Sequence, residues 1–251
     1  MPYASVLVVS DNEAMIGEFI RLLQAQPDLS NGRSFRFACQ QNNQALANKD
    51  ISGYTVEELN IKQECANIIA NHDLVISAHC KQLFPKELVE QVKCINIHPG
   101  YNPYNRGWYP QVFSIINGQP LGATIHEIDE ALDHGKIIDR EKVELKSSDT
   151  SRSAYDRVQE KEFELLRRNL GKLLDGEYAT YPPESEGNVN LKKDFEELRE
   201  INLDELITFG AAIDRLRALS HPPFKNAYFI DPQTKKRVWI EIALQDEDSN
   251  E

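Results

Sequence analysis

The chain is poor in cysteine and has no closely spaced cysteine pair. Cys39, Cys65, Cys80 and Cys94 are its four cysteines in 251 residues. Without a C-x-x-C spacing there is no zinc-site or redox signature, so buried free thiols are expected. No His/Asp cluster stands at metal-ligand spacing, which argues against a metal-dependent hydrolase, and no metal is expected. Neither a G-x-G-x-x-G after the first apolar run nor a Walker loop occurs, so dinucleotide and nucleoside-triphosphate readings lack their main signal. Positive charge is scarce as well. Lys and Arg number 28 against 40 Asp and Glu, giving a net charge of −12 and a pI near 5.0. Binding a phosphate-rich macromolecule wants a basic face, so no nucleic-acid partner is expected. A basic pocket for a small anion stays possible. The apolar run Val6 to Val9 is too short for a membrane span, and no positive segment precedes it. A cytoplasmic protein with no membrane partner is the expectation.

What is present reads as α/β. Hydrophobic residues make up 41% of the chain and charged residues 27%, enough apolar content to bury a sizeable core. Val6 to Val9, Phe35 to Cys39, Leu74 to Ser77 and Cys94 to His98 are short apolar runs that predict buried strands. Between the first two, Met15, Ile16, Phe19, Leu22 and Leu23 stand at helical spacing after a possible cap at Ser10 to Asn12, and Pro27 ends the pattern. Thr55 and Glu58 have capping-box spacing and predict the start of a polar helix. Pro85 opens a helix over Lys86 to Val92. Strand–helix alternation of this kind predicts a Rossmann-like, mostly parallel sheet with helices on both faces. Ligands then bind outside the carboxyl ends of the strands, where the loops at Ser10 to Asn12, Ala78 to Phe84 and Pro99 to Trp108 lie.

Two more strands are expected at Ala123 to Ile128 and Ile137 to Leu145, then a helix from about Asp149, with Asp149 as its cap. Residues 179–188 read as a linker, dividing the chain into 1–182 and a small C-terminal region, 183–251. That region should hold a helix around Leu203 to Leu219, a Pro-rich loop at Ser220 to Phe224 and a hairpin turning at Asp231. The acidic tail 245–251 is expected to be disordered.

The chemistry concentrates at the fourth strand. Asn96 and His98 are two apart and project to one face, and Pro99 stops the strand beside them. An imidazole next to an amide, with a carboxylate held against the imidazole, can move a proton and donate to an oxyanion. Asp133, 35 positions on, could be that carboxylate. Alone, Asn-x-His usually marks only a strand end.

The surrounding residues add specificity. Ile95 to Gly100 (Ile-Asn-Ile-His-Pro-Gly), Asn105-Arg106-Gly107, Gly122 to Asp129, Leu132 to Ile138 (Leu-Asp-His-Gly-Lys-Ile-Ile) and Asp149-Thr150 occur in order. The set resembles the folate-dependent formyltransferases, whose pattern is N-x-H-P-S-x-L-P, R-G, G-x-T-I-H-x-I and L-D-x-G-x-I-I. The match is close over about 90–150. The resemblance implies N10-formyltetrahydrofolate as co-substrate, a primary amine as acceptor, no metal, and Asn96, His98 and Asp133 as catalytic residues.

One departure is informative. Where many relatives read His-Pro-Ser, this chain reads His98-Pro99-Gly100-Tyr101-Asn102-Pro103-Tyr104-Asn105-Arg106-Gly107-Trp108. That loop resembles the branch acting on nucleotide-linked amino sugars and implies a dTDP-amino sugar as partner, specifically dTDP-4-amino-4,6-dideoxyglucose, on a route to O-antigen. Asn102 and Asn105 could bind sugar hydroxyls, and Arg106 a pyrophosphate. Tyr101, Tyr104 and Trp108 could pack on the sugar. Ordinary loop packing is the alternative for each. Lys81, Leu83 and Asp129 are candidates for the folate pocket. Phe224, Lys225 and Tyr228 are candidates for the nucleotide, in a C-terminal region that implies a homodimer. His126 is expected to support the site, His134 to be loop variation, and His72 and His79 have no visible partner. A 3-amino sugar acceptor and a non-catalytic nucleotide-sugar binding module are the competing readings.

Overall fold

A computed structural model describes residues 3–247. Strand β1 (Ser5–Ser10) is buried from Val6 onward, as a central parallel strand must be. Asn12 caps α1 (Glu13–Ala25) by accepting from the Met15 N–H, which satisfies one of the helix's free donors. Strand β2 (Ser34–Gln40) follows.

The first difference from expectation comes next. Thr55 and Glu58 do not open a helix. They lie in β4 (Tyr54–Leu59), which follows the two-residue β3 (Asp50–Ile51). Val56 and Leu59 are fully buried, and β4 pairs in parallel with β2. Burial against the growing sheet edge overrides the local capping pattern.

The parallel part is completed by α2 (Cys65–Asn71), β5 (Leu74–Ala78), α3 (Lys86–Gln91) and β6 (Lys93–His98). Next come β7 (Arg106–Gly107), α4 (Pro110–Asn117), β8 (Leu121–Glu127), β9 (Ile137–Val143) and the long α5 (Ser151–Asp175). Helix α4 is absent from the sequence reading. Thr150, not Asp149, caps α5 by accepting from Ser153 N–H. Asp149 is instead held by Arg157 and by the Lys146 N–H. The C-terminal region holds β10 (Val189–Asn190), α6 (Lys192–Arg199), α7 (Phe209–Leu219) and the hairpin β11 (Ala227–Ile230) with β12 (Arg237–Ile240). Helix α6 was unforeseen, and α7 starts later than expected. Of the tail expected to be disordered, residues 248–251 lie outside the described residues.

Eight strands form one sheet in the order β3-β4-β2-β1-β5-β6-β8-β9. β4, β2, β1, β5 and β6 run parallel, while β3, β8 and β9 are antiparallel to their neighbours. Helices cover both faces. Phe19 of α1 and Leu165 and Leu170 of α5 pack with Val8, Ile95 and Ile97. Ile68 of α2 and Leu88 of α3 pack with Leu7, Val75 and Cys94. On β6, Ile95 and Ile97 therefore face α5, while Asn96 and His98 follow Cys94 on the other side.

Residues 179–188 are not a free linker. Tyr181 exchanges both backbone hydrogen bonds with Ile137, and the following β10 pairs with β7. The segment lies back across the 99–108 loop because its backbone finds strand partners there; its prolines break regular structure without preventing that pairing.

Candidate active site

The structure brings Asn96, His98 and Asp133 together at the end of β6. Nδ2 of Asn96 donates to Oδ1 of Asp133 at 3.0 Å. Nδ1 of His98 faces Oδ2 of Asp133 at 3.6 Å. Asp133 sits in the left-handed region, at φ 48°, which a short acidic side chain tolerates. Three groups of the 99–108 loop fix it there. Gly107 N–H donates to its Oδ2 at 3.1 Å, Asn102 Nδ2 to its backbone carbonyl at 2.8 Å, and Arg106 to the carbonyl of the preceding Leu132 at 3.2 Å. Gly107 has φ +90°, and a Cβ there would stand 2.5 Å from the Asn190 carbonyl. Glycine alone serves at this point.

His126 completes the cluster. The antiparallel register of β6 and β8 sets it directly opposite Asn96, where cross-strand side chains meet. Its Nδ1 donates to the Glu127 carbonyl at 2.7 Å. Its Nε2 lies 3.3 Å from Nδ2 of Asn96 and 3.6 Å from Oδ1 of Asp133.

The charges are set by burial and by these neighbours. Burial pushes His98 down to about 4; Asp133 opposes this, and His126, His79 and Arg106 add to it. Burial works against the charge of Asp133, but His98, His126 and the Gly107 N–H more than offset it and hold the carboxyl well below its ordinary range. At neutral pH the site holds a carboxylate and a neutral imidazole, the state a general base needs.

Several loop residues are structural parts. Asn105 is fully buried. Its Nδ2 donates to Ser114 Oγ and Asn117 Oδ1, and its Oδ1 accepts from Asn117, Asn188 and Asn190. Both terminal nitrogens of Arg106 are taken by carbonyls, those of Leu132 and Glu186, so as placed it faces backbone and not an open phosphate site. Asn102 is buried with its amide on Asp133. Tyr101, Tyr104 and Trp108 remain partly exposed. Arg140, which sequence did not single out, stacks 4.4 Å from the Tyr101 ring centroid and pairs with Glu184.

A second cluster lies beside the first. His79, just past β5, has φ 54°. Its Nε2 is 2.7 Å from Oε2 of Glu162, a fully buried residue of α5. Its Nδ1 is 3.4 Å from the Tyr155 hydroxyl, which also accepts from Asn12. Burial works against the charge on His79, yet Glu162 holds it above its ordinary value. The nearby candidates Lys81 and Leu83 are exposed, Leu83 at 78%. Asp129 accepts from the Ala131 N–H and lies 2.9 Å from His134. His72 meets Ser5.

The C-terminal candidates separate. Phe224 is exposed, and its ring reaches His79 through His221 and Tyr155, with successive centroid distances of 5.9, 5.5 and 6.1 Å. Lys225 is exposed beside it. Tyr228 belongs to the hairpin, between Trp239 at 5.3 Å and Arg237 at 4.5 Å. It does not share a stacking surface with Phe224. Among the described residues no group of three or more His, Cys, Asp or Glu side chains could hold a metal ion, and no helix is long and apolar enough to cross a membrane.

An amide, an imidazole and a carboxylate gathered at the end of a mostly parallel sheet can together support acyl transfer. Residues 8–170 match the formyl transferase family, and residues 194–246 match the N-formyltransferase dimerization C-terminal domain. The chain belongs to the formyl transferase family and is an enzyme of the N-formyltransferase type. It is 49% identical over 192 residues to a dTDP-4-amino-4,6-dideoxyglucose formyltransferase of Mycobacterium bovis, covering 76% of this chain and 82% of that one. Among solved structures, a 4-N formyltransferase from Francisella tularensis is 42% identical with a TM-score of 0.90, covering 97% of this chain and 98% of the other. A sugar N-formyltransferase from Shewanella sp. FDAARGOS_354 is 40% identical with a TM-score of 0.88, covering 96% and 98%.

Proposed function

We propose that the enzyme transfers a formyl group from N10-formyltetrahydrofolate to the 4-amine of dTDP-4-amino-4,6-dideoxyglucose. The observation that carries this reading is the placement of Asn96, His98 and Asp133 at one strand end, with Asp133 fixed from three sides by the acceptor loop. Its likeness to the M. bovis protein and the match of its loop to the amino-sugar branch support the acceptor.

The sugar amine attacks the formyl carbon, and the carbonyl π electrons move to oxygen. Asn96 donates to that oxyanion, giving up its longer 3.3 Å contact to His126 and keeping its bond to Asp133. The nitrogen of the adduct is now cationic, and neutral His98 takes its proton. An imidazole pushed this low by burial is too weak to strip a free ammonium, so the acceptor enters as the neutral amine and the proton moves after attack. Asp133 stabilises the imidazolium. The oxyanion then collapses, the bond to N10 breaks, and the imidazolium returns its proton to N10. Lys81, Leu83 and Asp129 flank the folate side, and Tyr101, Tyr104 and Trp108 the sugar side. Phe224 and Lys225 meet the nucleotide.

The protein acts in the cytoplasm as a homodimer, its product serving surface polysaccharide such as O-antigen. Residues 183–251 supply the dimer contact, which the family match of 194–246 supports. Leu206 and Phe209 there are 99% and 89% exposed, and such apolar surface marks an interface.

The test is a product assay with N10-formyltetrahydrofolate and dTDP-linked 4-amino and 3-amino dideoxyhexoses plus a UDP-linked 4-amino sugar. Mass spectrometry should show a formamido product from the dTDP-4-amino-glucose compound. Preference for a 3-amino sugar would overturn the acceptor assignment, and no product from any member would overturn the reaction.

A further inference from the structure

The turn after β6 brings Gly100 back over the imidazole of His98. A Cβ on Gly100 would stand 2.4 Å from His98 Nε2 and 2.6 Å from its Cδ2, with Pro110 Cγ at 3.2 Å. Gly100 is not among the residues with positive φ, so its backbone does not call for glycine. What its missing side chain supplies is room for the ring. The segment is pinned and cannot simply back away. The Gly100 carbonyl accepts from Thr124 Oγ1 at 2.7 Å, and Asn102 N–H donates to the same hydroxyl at 3.1 Å.

In this position neither ring nitrogen can serve an amine. Nε2 is buried and has no hydrogen-bond partner among the described residues. Nδ1 faces the Asp133 carboxylate at 3.6 Å, too far for a good hydrogen bond. A base must come within about 2.6–3.2 Å of the atom that gives up its proton.

We propose that Gly100 is a positioning residue: its bare Cα forms a seat for the His98 ring, which moves out of it to reach the amine. The inference rests on reading His98 as the proton acceptor. It gives the Gly in the His-Pro-Gly variant of the motif a physical task. A side chain at position 100 closes the seat and forces the ring into the open part of the site.

The charged and titratable groups around the ring are Asp133 from the 128–136 loop, His126 from β8, His79 after β5, and Arg106 from the acceptor loop. Leaving the seat restores water to the ring, which favours the imidazolium.

The test is an imidazole nitrogen NMR titration of His98 in the wild-type protein and in Gly100→Ala, assigned with His98→Asn. The variant should titrate higher by about one pH unit or more. An unchanged midpoint in a folded variant would overturn the seat. If Gly100→Ala is too unstable to titrate, the same substitution in a His98→Ala background decides, because coupled neighbours give non-additive effects. The unfolding midpoint lost to Gly100→Ala should then be recovered, and an equal loss with the imidazole gone would overturn the proposal. Neither readout needs formyl transfer, so failure here is distinguishable from failure of the product assay.

Discussion

The backbone N–H of Gly107 donates to Oδ2 of Asp133 at 3.1 Å. The 99–108 loop and the Asp133 carboxylate are thereby one unit. Arg106 and Asn102, both preceding Gly107 in the same loop, hold the backbone of the 132–133 turn. Substitutions in this loop should therefore act on catalysis through Asp133 as well as through the sugar.

Arg106→Ala is the first case. It leaves the carbonyls of Leu132 and Glu186 without their donor, at a cost of about 1–3 kcal/mol. A lower denaturant midpoint and a reduced kcat are expected together. Wild-type stability with only a raised KM for the sugar nucleotide would return Arg106 to the role of a phosphate ligand.

The pH dependence of kcat/KM should separate two ionisations. Burial places His98 at about 4, below its ordinary 6.5, so it stays neutral as pH falls through that ordinary value and loses function only near 4. Protonation of the amine sets any limb nearer neutrality. Changing the acceptor should move that limb and leave the lower one in place. A limb near 6.5 common to all acceptors would contradict the buried, neutral state of His98.

Much of this site was legible before the fold. Alternating apolar runs and helical stretches pointed to four of the five parallel strands, β4 excepted, and the two-residue step put Asn96 beside His98. The contribution of His126 depends on which residue of β8 lies opposite Asn96, a register that neither strand states alone. Asn105 and Arg106 looked like ligands for sugar and phosphate because their partners, Asn188 and Glu186, come some eighty residues later in a stretch that reads as linker. Glu162 was invisible as the partner of His79 for the same reason, since it arrives on a helix 83 residues further on. Polar residues whose partners are distant in sequence are the ones local pattern misassigns.

The His79–Glu162 pair should give stability a pH slope. Glu162 holds His79 above its ordinary 6.5, and burial pushes Glu162 up as well. Both shifts mean that folding favours the bound proton. The contribution of His79 is complete below about 6.5 and is lost as pH rises through its raised value. Glu162→Gln should flatten the fall in denaturant midpoint as pH rises above about 6.5. An unchanged slope would show that the pair is not its source.

The exposed C-terminal apolar surface should control assembly. Replacing Leu206 and Phe209 together by Glu is expected to halve the mass seen by light scattering, with the near-ultraviolet spectrum of the fold retained. A double variant of unchanged dimeric mass would move the interface elsewhere.

The most direct test of the catalytic centre is His98→Asn, with single-turnover formyl transfer and sugar-nucleotide binding measured on the same preparation. The substitution removes the proton acceptor while keeping a small polar side chain. A fall in rate of at least about a hundredfold, the usual share of a general base, with binding within a fewfold of wild type, is the expected result. Transfer within about tenfold of wild type would contradict the assignment of His98 as the group that takes the amine proton.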